Sequence, residues 1–284
     1  MSSTSQTPPG HVIQPRDIAF GRNQTRPRWW LNNDPVATAF YNAMSTTFPP
    51  GERFFIESVR NYRDIASPEL QKQIAAFSSQ ESIHAREHVV FNRQAVDAGY
   101  DQTKFEAFMK RRIEVIKKFP PISQLAVTIA LEHFTAILAH AGISDPRHMQ
   151  GAPKENAQLW RWHAMEEIEH KAVAFDTFLA ATKTWLPLRR YALRCGIMFI
   201  STIMFLATIC VGCWNSFKQD GINRPRTWFR LIGYLFGKNG IMRQVLGAYF
   251  SYYRPGFHPW DHDDRELITV VQKEMGLTDQ YAAA

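Results

Sequence analysis

Two stretches of the 284-residue chain place a glutamate and a histidine three residues apart among apolar neighbours. In "FSSQESIHAREHVVFN", Phe77, Glu81, His84, His88 and Phe91 recur at helical steps and share one stripe of an α-helix. Around "WHAMEEIEHKAVAF" the same period collects Trp160, His163, Glu167, His170 and Ala174. Carboxylate oxygens and imidazole nitrogens are ligands for divalent metals. A single Glu-x-x-His pair arises easily by chance. Two of them on inward-facing stripes point to metal held inside a helical bundle, with the ligands Glu81, His84, Glu167 and His170. Glu166 and Glu169 fall beside the second stripe and read as solvated charges.

Positioning such ligands takes four helices. Apolar periodicity with Gly and Pro punctuation predicts a short amphipathic helix over 34–48 and a second starting at "PPGERFF". Long helices follow over Pro68–Ala98, Ser123–Ala141 and Lys154–Trp185, and a shorter basic one over Lys104–Phe119. No segment alternates with period two, so the fold class is all-α. The double Glu-x-x-His with one further Glu from each of two other helices is the ligand pattern of ferritin-like di-metal bundles, with Lys104–Phe119 as the crossover.

Register supplies the other two glutamates. Residues face each other in an antiparallel hairpin when the turn lies midway between them in sequence. Glu52 and Glu81 are centred on Ser67-Pro68, and Glu132 and Glu167 on the loop 144–153. Glu57 is the rival on the first helix, but it shares its face with Arg53, Arg60 and Asp64, whereas Glu52 sides with Phe55, Ile56 and Val59. Four buried carboxylates without Lys or Arg on their stripes would cost several kcal/mol per ion, which two divalent cations would offset. With no cysteine in the set, iron or manganese is favoured over structural zinc. His88 and His163, one turn from their Glu-x-x-His pairs, are expected beside the metals as outer partners or an additional ligand, with His133 or His140 as further candidates.

Charge separates the C-terminal third from the rest. Between Lys183 and Arg254 lie eleven Lys or Arg and one acid, Asp220, within a chain of net charge +7. The run 195–214, "CGIMFISTIMFLATICVGCW", is uncharged over a length that suits a bilayer core of about 20 residues. Downstream, Trp228, Leu231, Ile232 and Leu235, then Ile241, Val245 and Tyr249, form basic amphipathic helices suited to an anionic membrane surface. The expected organisation is a polar N-terminal arm (1–34), a metal-binding bundle (35–188), apolar and basic membrane-associating helices (189–254) and a tail (255–284). Localisation at the cytoplasmic face of a membrane follows, since no signal peptide opens the sequence and Cys195, Cys210 and Cys213 read as reduced thiols. His258, Asp261 and His262 read as a packed turn, and no nucleic-acid-binding module is visible.

The stretches "FPPGERFFIESVRNY", "FSSQESIHAREHVVFN", "LEHFTAILA", "WRWHAMEEIEHKAVAFD" and "YRPGFHPWD" resemble the bacterial predicted metal-dependent hydrolase family, grouped with ferritin-like folds. The resemblance implies a metal site at Glu52, Glu81, His84, Glu132, Glu167 and His170. It implies no substrate. The residues themselves suggest a di-iron oxidoreductase that activates dioxygen against an apolar substrate, supplied by an electron donor the sequence does not identify. The alternative is a two-metal hydrolase activating water, and a third class is a metal-binding, membrane-associated protein without turnover.

Overall fold

The computed structural model describes residues 7–22 and 24–277, and among these there is no strand. Helix α1 spans Pro35–Arg60, α2 Pro68–Asp97, α3 Thr103–Ile116, α4 Pro121–Ser144, α5 Lys154–His170 and α6 Val173–Ala181. Helix α7 spans Pro187–Gln219, α8 Pro225–Phe236, α9 Ile241–Gln244, α10 Leu246–Ser251 and α11 Arg265–Met275. The bundle pairs α1 with α2 and α4 with α5, and α7 lies along both α1 and α4. Helix starts follow the chemistry of their caps: Asp34 accepts from the Val36 N–H before Pro35, and Ser67 from the Leu70 N–H before Pro68.

Two boundaries differ from the sequence expectation. Helix α1 runs on through Pro49 and Pro50 instead of stopping and restarting, so Glu52 lies well inside it, not in a first turn. An interior proline removes an N–H from the helical ladder. Pro49 thereby frees the carbonyl of Ser45, which accepts from Asn92 Nδ2 of α2 at 3.1 Å. The helix expected over 154–185 is interrupted at Lys171–Ala172, directly after His170. There the Lys171 ammonium reaches the C-terminal segment, donating to the His262 carbonyl at 2.6 Å and to Asp264 at 2.7 Å.

The segment read as a polar arm is laid into the bundle. Phe20, Trp30 and Leu31 are buried in the core, and Arg16 is 1% exposed. The turn at 258–261 is packed as expected: His258 is buried against Asp176 at 3.0 Å, and its own N–H donates to Asp261. At the crossing of α7 over α1 the chain needs glycine, because a Cβ on Gly212 would lie 2.5 Å from that of Ala43.

Candidate metal centre

All six residues expected as ligands converge in the bundle interior. Glu52 comes from α1, Glu81 and His84 from α2, Glu132 from α4, and Glu167 and His170 from α5, each 5% exposed or less. Their ligand atoms fall into two adjacent sets, Glu52 with His84 and His163, and Glu81 with Glu132, Glu167 and His170. Within each set the atoms lie within 4.8 Å of one another. Glu167 serves both: Oε1 lies 2.7 Å from His163 Nε2 and 3.7 Å from His84 Nδ1, while Oε2 lies 3.6 Å from His170 Nε2. Glu81 Oε1 is likewise 3.1 Å from His170 Nε2 and 3.8 Å from His84 Nδ1.

The donor set fits two divalent cations on an observation independent of the sequence pattern. Buried polar atoms are normally satisfied by hydrogen bonds. Both oxygens of Glu52, Glu81 and Glu132, Glu167 Oε2, His84 Nδ1 and His170 Nε2 have no hydrogen-bond partner among the described residues. Every expected ligand is therefore represented among the orphaned atoms. The four carboxylates form ion pairs only with histidines; no Lys or Arg among the described residues reaches them.

Electrostatics tell the same story. Burial, followed by repulsion from the neighbouring carboxylates, holds Glu52 and Glu132 well above the usual carboxylate range, and burial raises Glu81. Burial also drives His84 and His88 well below the usual imidazole range. Glu167 and His170 go the other way: against burial, each is held charged by the other, with His163 also favouring the Glu167 anion and Glu81 the His170 cation. Without metal the cage relieves its charge by taking up protons.

A second layer aims the ligands. Arg16 donates to Glu166 Oε1 at 3.0 Å and to both oxygens of Glu169, at 2.6 and 3.0 Å. Glu166 Oε2 lies 3.0 Å from His84 Nε2, which leaves His84 Nδ1 facing the cage. Gln80 Oε1 lies 2.9 Å from His170 Nδ1, leaving Nε2 free, and Gln80 Nε2 donates to Glu169 at 2.9 Å. Partners of this kind on the far ring nitrogen fix the tautomer and orientation of metal-binding histidines. Glu166 and Glu169 are thus not solvated. Their counter-ion arrives from a segment with no helical period, which the phase of α5 cannot reveal.

His88 offers the cage no ligand atom and instead orients His163. Asn92 Nδ2 is committed to the Ser45 carbonyl, so Asn92 Oδ1 accepts from the Ser45 hydroxyl at 2.7 Å. The Ser45 oxygen then accepts from His88 Nδ1–H at 2.8 Å, and His88 Nε2 accepts from His163 Nδ1–H at 2.6 Å. His163 Nε2 is thereby turned to the cage, 2.7 Å from Glu167 Oε1 and 3.6 Å from Glu52 Oε1. His133 is not part of this arrangement: one residue beyond Glu132, it points off the site and Nε2 bonds the Ala248 carbonyl at 3.2 Å. His140 lies further out, 2.9 Å from Asp264. Arg16, Gln80, Ser45 and Asn92 were not found from sequence.

Fold and site together define an all-helical protein with a buried carboxylate–histidine centre for metal. The chain belongs to the predicted metal-dependent hydrolase family, whose model matches residues 14–263. That span includes Arg16 and all six of the expected ligand residues. No curated protein and no solved structure matches the chain.

Proposed function

We propose that the protein is a two-metal enzyme that hydrolyses an apolar substrate. The observation that carries the reading is the set of orphaned ligand atoms in two adjoining groups that share Glu167. Two bound cations would supply an activated water and polarise a carbonyl or phosphoryl oxygen, or, if redox-active, the means to activate dioxygen. The hydrolytic choice agrees with the family description.

The polypeptide supplies access and dryness. A cavity of about 60 Å³ is lined by Glu167 and His163 together with Tyr41, Met44, Phe48, Leu138, Trp160 and Ile241 among others. Its wall is almost wholly apolar, so it admits a hydrocarbon portion more readily than a charged one. Phe48 packs its ring edge-on to His163 and His88, with centroids 4.7 and 4.6 Å apart, and lines the cavity beside them.

A second reading, oxidation of an apolar substrate by a di-iron centre, is favoured by one specific observation. Four carboxylates and three imidazoles, no thiol, and a water-poor apolar approach make a donor set suited to iron and dioxygen. Metal analysis of protein purified without added metal separates the two. The hydrolytic reading expects metal-dependent cleavage of long-chain acyl or phosphoryl esters with no oxygen uptake. Two irons per chain with oxygen uptake after anaerobic ferrous loading, and no ester cleavage, would overturn it in favour of oxidation.

A further inference from the structure

We propose that the outward faces of α7 and α8 form a docking surface for an anionic lipid bilayer, on which the protein lies without crossing. Helix α7 is two-faced. Met198, Ile209, Cys213 and Phe217 are buried against the bundle, while Phe199, Ile200, Ile203, Met204, Leu206 and Trp214 face outward and are exposed. The exposed positions repeat at helical spacing and carry no charge from 199 to 214. Helix α8 repeats the design: Leu231 and Leu235 face in, and Phe229 (72% exposed), Ile232 and Phe236 face out. Isolated surface apolar residues need no explanation, but continuous stripes on two successive helices mark a binding surface.

Charge selects the occupant. Lys183, Arg189, Lys218, Arg224, Arg226, Arg230, Lys238, Arg243 and Arg254 are all exposed. The only acid between Lys183 and Arg254, Asp220, has a fully buried side chain, bonded to Arg28, Trp29 and Tyr100. The exposed surface of this segment is therefore cationic and apolar with no exposed carboxylate of its own. A second copy of the chain would bring like charges together. Nucleic acid would satisfy the arginines and leave aliphatic stripes in water. Anionic headgroups above acyl chains satisfy both features. The arrangement is peripheral because α7 is held to α1 and α4 by buried residues from Arg194 to Phe217, so only one face is free for lipid.

The test is flotation of the full-length, metal-loaded protein with phosphatidylcholine vesicles, with and without phosphatidylglycerol. The expected result is binding to the phosphatidylglycerol vesicles that high salt weakens. The triple variant Phe229→Ser/Ile232→Ser/Phe236→Ser should bind at least about tenfold more weakly. Arg224→Gln/Arg226→Gln/Lys238→Gln should lose on the order of a hundredfold on anionic vesicles, since each basic residue contributes roughly fivefold. None of the six touches the metal centre, so unchanged metal content and melting temperature certify the fold. Absence of vesicle binding by the wild type, or equal binding by both variants, overturns the proposal. So does a dimer that the serine variant abolishes in the absence of lipid, or resistance of the bound protein to alkaline carbonate, which would mean a spanning helix.

Discussion

Replacing Arg16 with methionine should disable the metal centre without touching a ligand. The guanidinium is buried between Glu166 and Glu169, at 3.0 and 2.6 Å. Removing one partner of a buried ion pair costs about 3–5 kcal/mol, because the remaining charge is stranded. Here the loss should fall near the lower end, since Trp162 still donates to Glu166 and Gln80 to Glu169. In a chain of this size that corresponds to a melting temperature roughly 6–12 °C lower. The second consequence is chemical. Burial pushes the Glu166 carboxyl up to about 8 while Arg16, by charge and hydrogen bond, pulls it down, so losing the arginine shifts Glu166 further toward its protonated form. A protonated Glu166 donates to His84 Nε2, which moves the imidazole proton to Nδ1, the atom that faces the cage. Loss of a histidine's outer partner typically weakens metal binding 10- to 100-fold. The assay is metal titration under competition with a chelator, paired with thermal melts of the loaded and metal-free forms. Arg16→Lys should recover part of both effects by restoring charge without the two-pronged geometry. If Arg16→Met keeps wild-type metal affinity and melts within about 1 °C of wild type, the outer carboxylates do not tune the histidines and the reasoning fails.

Glu132→Gln should abolish stoichiometric metal loading yet leave the metal-free protein as stable or more so, because it removes one of four mutually repelling buried carboxylates; calorimetry of the metal-free form checks the sign. His163→Ala should reduce bound metal from two ions to one per chain, whereas His88→Ala should keep both ions and weaken their affinity about tenfold or more, measured by elemental analysis and chelator competition. Metal binding should release protons, because Glu52, Glu81 and Glu132 are raised above the usual carboxylate range in the metal-free cage and must ionise to act as ligands. The sign is that affinity rises with pH. Calorimetric titration in two buffers of different ionisation enthalpy should show it, and buffer-independent heats would count against it. For the metal-free fold the sign reverses. These raised carboxyls contribute stability present below their ordinary range and lost as pH rises through the shifted values, so thermal melts of the metal-free protein should fall as pH rises above the ordinary carboxylate range.

The clustered carboxylates and histidines were legible because they obey helical arithmetic. Glu81 and His84, or Glu167 and His170, are placed by one period on one helix, and Glu52 and Glu132 follow from hairpin symmetry about a turn. The same arithmetic misplaced Glu166 and Glu169, since off-stripe on α5 means toward another element, and that element is an extended segment without periodicity. At residues 12–17 there is nothing in "VIQPRD" to say that Arg16 is a buried counter-ion. Helix continuity through Pro49-Pro50 was also hidden, because the local rule forbids it and only Asn92, more than forty residues away in sequence, satisfies the freed carbonyl. His133 failed for the opposite reason: adjacency in sequence to Glu132 turns it about 100° around the helix, out of the site.

Those prolines reach further than the backbone they interrupt. Because Pro49 has no N–H, the Ser45 carbonyl is open to Asn92; because Asn92 is turned to serve it, the Ser45 hydroxyl proton points at the amide oxygen, and each ring beyond must pass its own proton the same way. A hydrogen missing from one residue thus dictates where a hydrogen sits two histidines away, and which nitrogen of His163 turns to the cage. Pro49 belongs to the metal centre without lending it a single atom.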